Sequence, residues 1–196
     1  MKLRLSCNEG TPVLKWWVDA AYAVHSDMKS HSGAILTLGN GCVYSKSNKQ
    51  KINTKSSTEA ELVAASDMSS QILWTLYFLE EQGYAIKENT LYQDNKSAIL
   101  LEKNGGLSSS QRTRHIKVRY FFIKDRIREG EMQVVYCPTD DMIGDFFSKP
   151  LQGAKFKRFR KLILGLSDGS IQEGVGDDGE MNGQDSGTHL SKESEF

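Results

Sequence analysis

Apolar residues dominate three short stretches near the start of the chain, and each has the length and composition of a β-strand. The first stretch covers residues 14–24 (LKWWVDAAYAV), and the next two cover residues 33–38 (GAILTL) and 42–47 (CVYSKS). Between the last two lies Gly39-Asn40-Gly41, a strong signal for a hairpin turn. The pattern therefore predicts three consecutive antiparallel strands.

The pattern becomes helical over residues 57–82, where apolar and small residues recur three or four positions apart on one face. These residues are Leu62, Ala65, Ser69, Ile72, Leu76 and Leu79. Gly83 is typical of a residue that ends a helix. At the start, Ser56-x-x-Glu59 and Thr58-x-x-Glu61 both have the spacing of a capping box, and the sequence leaves both open.

Strands and helices alternate in the second half of the chain. We expect strands at residues 90–94 and 131–137, and helices at about 95–103, 113–129, 141–148 and 154–164. Three antiparallel strands followed by two helix-connected strands imply an α/β fold, with a mixed five-stranded sheet flanked by helices. Trp16, Trp17 and Trp74 are predicted to be core residues.

The distribution of charge divides the chain into a basic body and an acidic tail. The chain has 25 basic and 25 acidic residues, and residues 165–196 hold eight of the acids and one of the bases. The body therefore carries 24 bases and 17 acids, which suits a polyanionic partner such as nucleic acid. The tail is rich in Gly and poor in apolar residues, so we expect it to be disordered.

The cysteine pattern and the hydropathy indicate an intracellular protein. The three cysteines (Cys7, Cys42 and Cys137) are scattered, without metal-ligand spacing, which favours a reducing compartment. No apolar run reaches the length of a membrane span, and the N-terminus has no secretory signal. We therefore expect no contact with membranes and a location in a cytoplasmic particle or in the nucleus.

Four carboxylates are candidates for chemistry: Asp19, Glu61, Asp94 and Asp145. Asp19 interrupts an apolar strand, where a charge is costly without a partner. Each acid also has a structural interpretation: an ion pair with a buried Lys, half of a capping box, a helix N-cap, and a solvated side chain, respectively. Carboxylates around one cleft repel each other unless cations lie between them, and Mg²⁺ suits such a site because it prefers oxygen ligands.

Six stretches occur in an order and at spacings typical of one family: WVDAAYA (17–23), KSHSGAI (29–35), KQKINTKSSTEAELVAAS (49–66), LYQDNKSAI (91–99), RTRHIKVRYFFIKDRIREGE (112–131) and YCPTDDMIGDFFSKPLQG (136–153). With them the chain resembles the type 1 ribonuclease H domain in the C-terminal part of the reverse transcriptase/ribonuclease H region of copia-type LTR retrotransposon polyproteins. The resemblance implies a ribonuclease H-like fold and an enzyme that cleaves the RNA strand of RNA–DNA hybrids.

The resemblance also assigns the four acids, Asp19, Glu61, Asp94 and Asp145, as catalytic residues and as ligands of two Mg²⁺ ions, with Mn²⁺ as an alternative and no small-molecule cofactor. Glu59 competes with Glu61, which is preferred because the family's E-L-x-A-A pattern begins there. Asp140 and Asp141 compete with Asp145, which is preferred because it heads the D-x-x-(S/T)-K-P-L motif. The implied domains are a lead-in (1–13), the ribonuclease H domain (14–150), a basic helix (151–165) and the tail (166–196).

A basic, hydroxyl-rich segment before the long helix suits contacts with nucleic-acid phosphates, because a helix N-terminus attracts anions. A second basic cluster precedes the helix at 113–129. Together with a polar residue beside Asp94, the candidates are Lys51, Lys55, Ser56, Ser57, Asn95, Arg112, Arg114 and His115. The sequence also leaves structural roles open for these residues, in a solvated, capped linker and in helix docking. Recognition of a hybrid would depend on shape and on 2′-OH groups rather than on sequence.

Two departures from the family pattern matter for function. The loop after the last strand, CPTDD, lacks the His that many cellular ribonucleases H carry, which leaves proton handling unassigned. No YxDD polymerase motif is present, although this family normally works tethered to a reverse transcriptase. An alternative function is therefore an inactive, nucleic-acid-binding remnant. A transposase or integrase is disfavoured, because its Glu typically follows both Asp residues.

Overall fold

Five paired strands form the centre of the protein, which a computed structural model describes for residues 3–7, 12–104 and 114–166. The strands are β2 (Val13–Ala21), β3 (His31–Thr37), β5 (Cys42–Lys49), β6 (Glu88–Gln93) and β7 (Gln133–Tyr136). Their order in the sheet is β5-β3-β2-β6-β7. The first three pair antiparallel, whereas β6 pairs parallel with both β2 and β7. A separate two-residue pairing joins β1 (Ser6–Cys7) to β4 (Gly39–Asn40) within the predicted turn.

Helices cover both faces of this sheet. They are α1 (Ser57–Glu81), α2 (Lys96–Asn104), α3 (Arg114–Arg128), α4 (Asp145–Ser148) and α5 (Gly153–Ile163). On one face, α1 packs on β2, and the buried core includes Trp16, Leu62 and Ile72. On the other face, Ile35 packs against Ile143 and Phe159. In the described part of the chain, none of the helices has both the length and the hydropathy of a membrane span.

The predicted α/β fold with a mixed five-stranded sheet is confirmed, and so is the buried stripe of α1. The core prediction is wrong for Trp74, which is 58% exposed and stacks on Phe78, because it lies off that stripe. The first strand ends at Ala21 rather than at residue 24. Residues 105–113 lie outside the described residues, and so does the acidic tail from residue 167 onward.

The single helix predicted at 141–148 is also wrong. The chain instead forms a short 3-10 helix (Thr139–Asp141), and α4 begins only at Asp145. Between them Met142 has an extended backbone (φ −73°, ψ 88°) and is fully buried. Met142 and Ile143 are both buried, and Ile143 packs against Ile35 of β3, so burial of this segment interrupts the helix before α4.

Candidate active site

Parallel pairing of β2 with β6 brings two of the four candidate acids together. Trp17 pairs with Tyr92 in this ladder. Asp19 comes two residues after Trp17, and Asp94 comes two residues after Tyr92. Carboxyl ends of neighbouring parallel strands open at the same edge of a sheet, where polar groups remain reachable. Asp19 is buried, with 1% of its surface exposed, whereas Asp94 is half-buried.

The long helix α1 contributes the third acid, and its first turn shows which Glu this is. Ser56 caps the helix by accepting a hydrogen bond from Glu59 N (3.2 Å), and Glu59 Oε2 accepts from Lys55 N (2.7 Å). Glu59 is therefore committed to the helix N-terminus. Glu61 instead points at β2, where its Oε1 accepts a hydrogen bond from Ala20 N (3.0 Å). Of the two capping boxes that the sequence leaves open, the structure contains the one at Ser56 and Glu59.

Asp19, Glu61 and Asp94, which we call the acid triad, each offer one carboxylate oxygen, and these three oxygens lie within 4.8 Å of one another. Glu61 is 3% exposed, and its Oε2 has no hydrogen-bond partner among the described residues. A buried carboxylate oxygen without a partner is costly unless a proton or a cation satisfies it. The donor set consists only of carboxylates, which Mg²⁺ prefers, so the triad fits a divalent metal ion.

Asp94 is free for this role because its neighbour caps the following helix. Asn95 Oδ1 accepts hydrogen bonds from Ser97 N (3.0 Å) and Ala98 N (3.1 Å), as an N-cap does. Asp94 Oδ2 instead accepts from the hydroxyl of Thr139 (2.9 Å). The cap interpretation of Asp94 is therefore wrong.

Burial shifts the pKa values of Asp19 and Glu61. Burial raises the pKa of Asp19, although nearby Lys149 and Ser148 lower it in part. Burial also raises the pKa of Glu61 well above its ordinary value, and the negative charge of Asp19 adds to this effect. A bound cation would oppose both effects, because an opposite charge at short range favours the ionised carboxylates.

Asp145 lies beside the triad without joining it, and two lysines surround it. Its Oδ1 accepts from Lys149 Nζ (2.7 Å) and its Oδ2 from Lys155 Nζ (2.7 Å). Lys149 Nζ also donates to Asp19 Oδ1 (3.2 Å), and the hydroxyl of Ser148 donates to Asp19 Oδ2. The solvated interpretation of Asp145 is wrong, since only 1% of it is exposed.

The competitors of Asp145 lie farther along the surface. Asp140 and Asp141 are exposed, and both are held by Arg158, which donates to the Asp140 carbonyl oxygen and to the Asp141 carboxylate. Asp145 is thus the acid of this segment that a single lysine links to Asp19.

Two glycines let α4 approach the sheet closely enough to build this arrangement. Gly33 lies opposite Asp19 in the β2–β3 ladder, and a Cβ atom there would lie 2.6 Å from both Gly144 O and Ser148 N. A Cβ atom on Gly144 would lie 3.2–3.3 Å from Trp17 O and from Asp19. These close approaches set Ser148 and Lys149 directly over Asp19.

Sequence reasoning missed the residues that hold the acids: Thr139, Ser148, Lys149 and Lys155. The available signal was the (S/T)-K-P-L motif, in which the Ser and the Lys are the two side chains that contact Asp19. Burial lowers the pKa of Lys149, but Asp19 and Asp145 outweigh burial and raise it above its ordinary value. Lys149 is therefore a permanent positive charge at the edge of the triad.

The structure describes the side chains of five of the eight predicted nucleic-acid contacts. Lys51, Lys55 and Ser57 are exposed before and at the start of α1, whereas the hydroxyl of Ser56 is used as its cap. Asn95 uses its carbonyl oxygen to cap α2. Arg112 lies outside the described residues, and so do the side chains of Arg114 and His115.

Solved structures to which the chain is similar in fold include ribonucleases H. RNase H1 from the archaeon Halobacterium salinarum NRC-1 is 14% identical, with a TM-score of 0.39 over 64% of this chain and 86% of that chain. LC11-RNase H1 in complex with an RNA/DNA hybrid is 12% identical, with a TM-score of 0.47 over 66% of this chain and 88% of that chain.

Among protein sequences, the similarity is to transposon polyproteins. The retrovirus-related Pol polyprotein from transposon TNT 1-94 of Nicotiana tabacum is 34% identical over 153 residues, which are 78% of this chain and 11% of that protein. The Pol polyprotein from transposon RE2 of Arabidopsis thaliana is 34% identical over 70% of this chain and 9% of that protein. The Ty1-JR1 Gag-Pol polyprotein of Saccharomyces cerevisiae is 27% identical over 71% of this chain and 8% of that protein.

No family model matches the chain. The chain spans about a tenth of the length of the curated relatives it matches. It is therefore homologous to one short segment of the retrovirus-related Pol polyproteins of copia-type transposons.

Proposed function

We propose that this chain is a Mg²⁺-dependent ribonuclease H, which cleaves the RNA strand of RNA–DNA hybrids during retrotransposon reverse transcription. The observation that carries the proposal is the acid triad, whose three carboxylate oxygens lie within 4.8 Å of one another. The buried Glu61 Oε2 lacks a hydrogen-bond partner among the described residues, and a bound cation would satisfy it. Homology to Pol polyproteins supports the same activity.

Asp19, Glu61 and Asp94 are the residues that would hold the ion. When bound there, Mg²⁺ supplies a Lewis acid for phosphodiester hydrolysis and lowers the pKa of a bound water. Asp145 would act through Lys149, which contacts both Asp145 and Asp19.

The protein contributes orientation to this chemistry. Glu61 is held by Ala20 N, Asp94 by the hydroxyl of Thr139, and Asp19 by the hydroxyl of Ser148. Each of these hydrogen bonds fixes one oxygen of a carboxylate, so the metal-binding geometry does not have to be ordered when the substrate arrives. Preorganised ligands of this kind make a site effective because their ordering cost is met on folding.

The substrate in this proposal is an RNA–DNA hybrid, delivered by a reverse transcriptase domain elsewhere in the polyprotein. The exposed Lys51, Lys55 and Ser57 would contact phosphates of the hybrid backbone, as the sequence predicts. Asn95 keeps its side-chain NH₂ group for substrate, because its cap uses the carbonyl oxygen. Arg112, Arg114 and His115 remain predicted contacts.

Cleavage of an RNA–DNA hybrid labelled on the RNA strand tests the proposal. With Mg²⁺ we expect cutting of the hybrid and none of single-stranded RNA or duplex DNA. Asp94→Asn should abolish cutting and keep hybrid binding, because it removes a triad charge from a half-buried position. Asp140→Asn is a matched control with the same chemical change at an exposed acid outside the triad, and it should cut normally.

Equal cleavage by the Asp94→Asn variant and the parent would contradict the role of the triad. A folded parent protein that binds the hybrid and never cuts it would instead identify the chain as an inactive, nucleic-acid-binding remnant. Binding is measured separately, by fluorescence anisotropy of the same hybrid in Ca²⁺.

A further inference from the structure

The ammonium group of Lys149 lies between two buried carboxylates. Its Nζ is 2.7 Å from Asp145 Oδ1 and 3.2 Å from Asp19 Oδ1, and both acids are 1% exposed. Asp19 also belongs to the acid triad. The Lys149 ammonium group thus bridges the carboxylates of Asp19 and Asp145, where a metal ion shared by these two acids would otherwise bind.

Backbone geometry fixes the position of this ammonium. Lys149 is the C-cap residue of α4, and its N–H donates to Asp145 O (2.9 Å). Helix α4 in turn lies on Gly33 with no space for a Cβ atom. On its far side, Asp145 is held by Lys155 from α5. Lys149 is therefore placed by two helices and the sheet rather than by a flexible loop.

Charge balance differs between the two sides of Asp19. Toward Asp145, two carboxylates meet two ammonium groups, so the charges cancel. Toward Glu61 and Asp94, three carboxylates meet at one point, with an unpartnered oxygen on Glu61 within the described structure. Electrostatic attraction for a divalent ion is therefore strongest beside Glu61 and Asp94, whereas Lys149 repels such an ion beside Asp145.

We propose that Lys149 is a built-in cation that occupies the position between Asp19 and Asp145, so the substrate-free protein binds one divalent ion, at the acid triad. This inference rests on the proposed function, since it assumes that the triad binds metal. Lys149 is a positioning residue here, because it acts through Asp19 and Asp145. The two ions predicted from the resemblance then require a state in which the ammonium has left Asp145.

Counting bound Mn²⁺ by electron paramagnetic resonance tests the inference without any measurement of activity. We expect one bound ion for the parent and two for Lys149→Met, which frees Asp19 and Asp145 for a second ion. The first ion should also bind about tenfold more tightly in this variant, because a nearby positive charge is lost. Lys149→Arg keeps the charge and should bind one ion.

Lys155→Met is the matched control, since it is also a Lys-to-Met substitution and also removes an ammonium group that contacts Asp145. Lys155 does not bridge to Asp19 in the described structure, so this variant should still bind one ion. Circular dichroism shows whether each variant is folded. If Lys149→Met does not fold, Asp145→Asn decides, because it should retain one ion with unchanged affinity.

The outcomes separate this inference from the proposed function. A parent that binds no ion contradicts the proposed metal site itself. A parent that binds two ions, or a folded Lys149→Met variant that still binds one, contradicts the role of Lys149 and leaves the metal site in place. Loss of the parent's ion in Asp145→Asn contradicts the role of Lys149 by showing that the ion binds at Asp145.

Discussion

Two buried acids, Asp145 and Glu61, lie on either side of Asp19, and their charges are compensated in different ways. Asp145 has an ammonium group on each of its carboxylate oxygens. Glu61 is almost as buried, but one of its oxygens has no partner among the described residues. Since burying a charge without compensation is unfavourable, the difference indicates which side of the site is complete and which awaits a ligand.

A third buried acid shows the alternative way to satisfy a carboxylate. Glu102 is fully buried in α2, and its carboxyl oxygens lie 2.9 and 3.0 Å from the side-chain amide of Gln93. Burial raises its pKa to about 8, so it carries a proton at neutral pH. A solitary buried acid therefore binds a proton, one beside lysines forms ion pairs, and a cluster of acids is suited to a metal ion.

The largest effect should distinguish the two Glu residues near the start of α1, Glu59 and Glu61. Glu61→Gln should reduce hybrid cleavage about 1,000-fold, because it removes a metal ligand from the triad. Glu59→Gln should reduce it little and cost about 1 kcal/mol of stability, since Glu59 caps the helix. Cleavage rates and thermal melts of both variants measure this. The reverse ranking of the two rates would overturn the assignment.

The next largest effect concerns the close approach of α4. Gly33→Ala should destabilise the protein by about 3 kcal/mol and also reduce cleavage, because the new methyl group would meet the backbone of α4. Lys149 and Ser148 would move away from Asp19 together. Urea denaturation and cleavage rates report the two effects. Gly130→Ala provides a comparison, since its φ of 76° adds strain with no neighbour within 4 Å.

If Gly33→Ala were no worse than Gly130→Ala in both measurements, the close approach of α4 would not be what holds the site together.

Glu102→Gln should change the pH dependence of stability. The pKa of Glu102 is about 8 in the folded protein and 4.5 is its ordinary value, which applies to the unfolded chain. Between pH 4.5 and pH 8 the unfolded chain has lost this proton and the folded protein retains it, so stability falls as the pH rises through this range. Replacement by Gln removes that loss and should stabilise the protein by about 3 kcal/mol at pH 7. Denaturant titrations at pH 4 and pH 7 measure the gain.

A gain of equal size at pH 4 would contradict the assignment, because Glu102 is protonated there in both states.

The smallest effect is expected for Ser148→Ala. This change removes a hydroxyl that donates to buried Asp19, while Lys149 remains in place. We expect a loss of about 1 kcal/mol in stability and a modest loss in cleavage. Ser97→Ala, an exposed serine in α2, is the control. A loss as large as that of Glu61→Gln would mean that the hydroxyl does more than orient Asp19.

Much of this site could be predicted from the sequence. The strand and helix pattern placed Asp19, Glu61 and Asp94 on three different elements, and an acid in an apolar strand is conspicuous because it is costly. The choice of Glu61 over Glu59 needed the structure, because both have capping spacing and only one can point at β2.

The lysine partners of Asp145 could not be predicted, because they depend on how α4 and α5 lie on the sheet. Lys155 is ten residues from Asp145, and its contact requires the turn between the helices. The break before α4 has a similar origin, since burial of Met142 and Ile143 overrides a local helical pattern. Long-range packing of this kind produces no periodic pattern of apolar residues from which it could be predicted.

The most direct test of the account is the position of Mn²⁺ in crystals of the substrate-free protein, located by anomalous scattering. We predict one peak among the carboxylates of Asp19, Glu61 and Asp94, with Lys149 Nζ still between Asp19 and Asp145. A peak between Asp19 and Asp145 with Lys149 displaced, or no peak at the triad, would contradict the account.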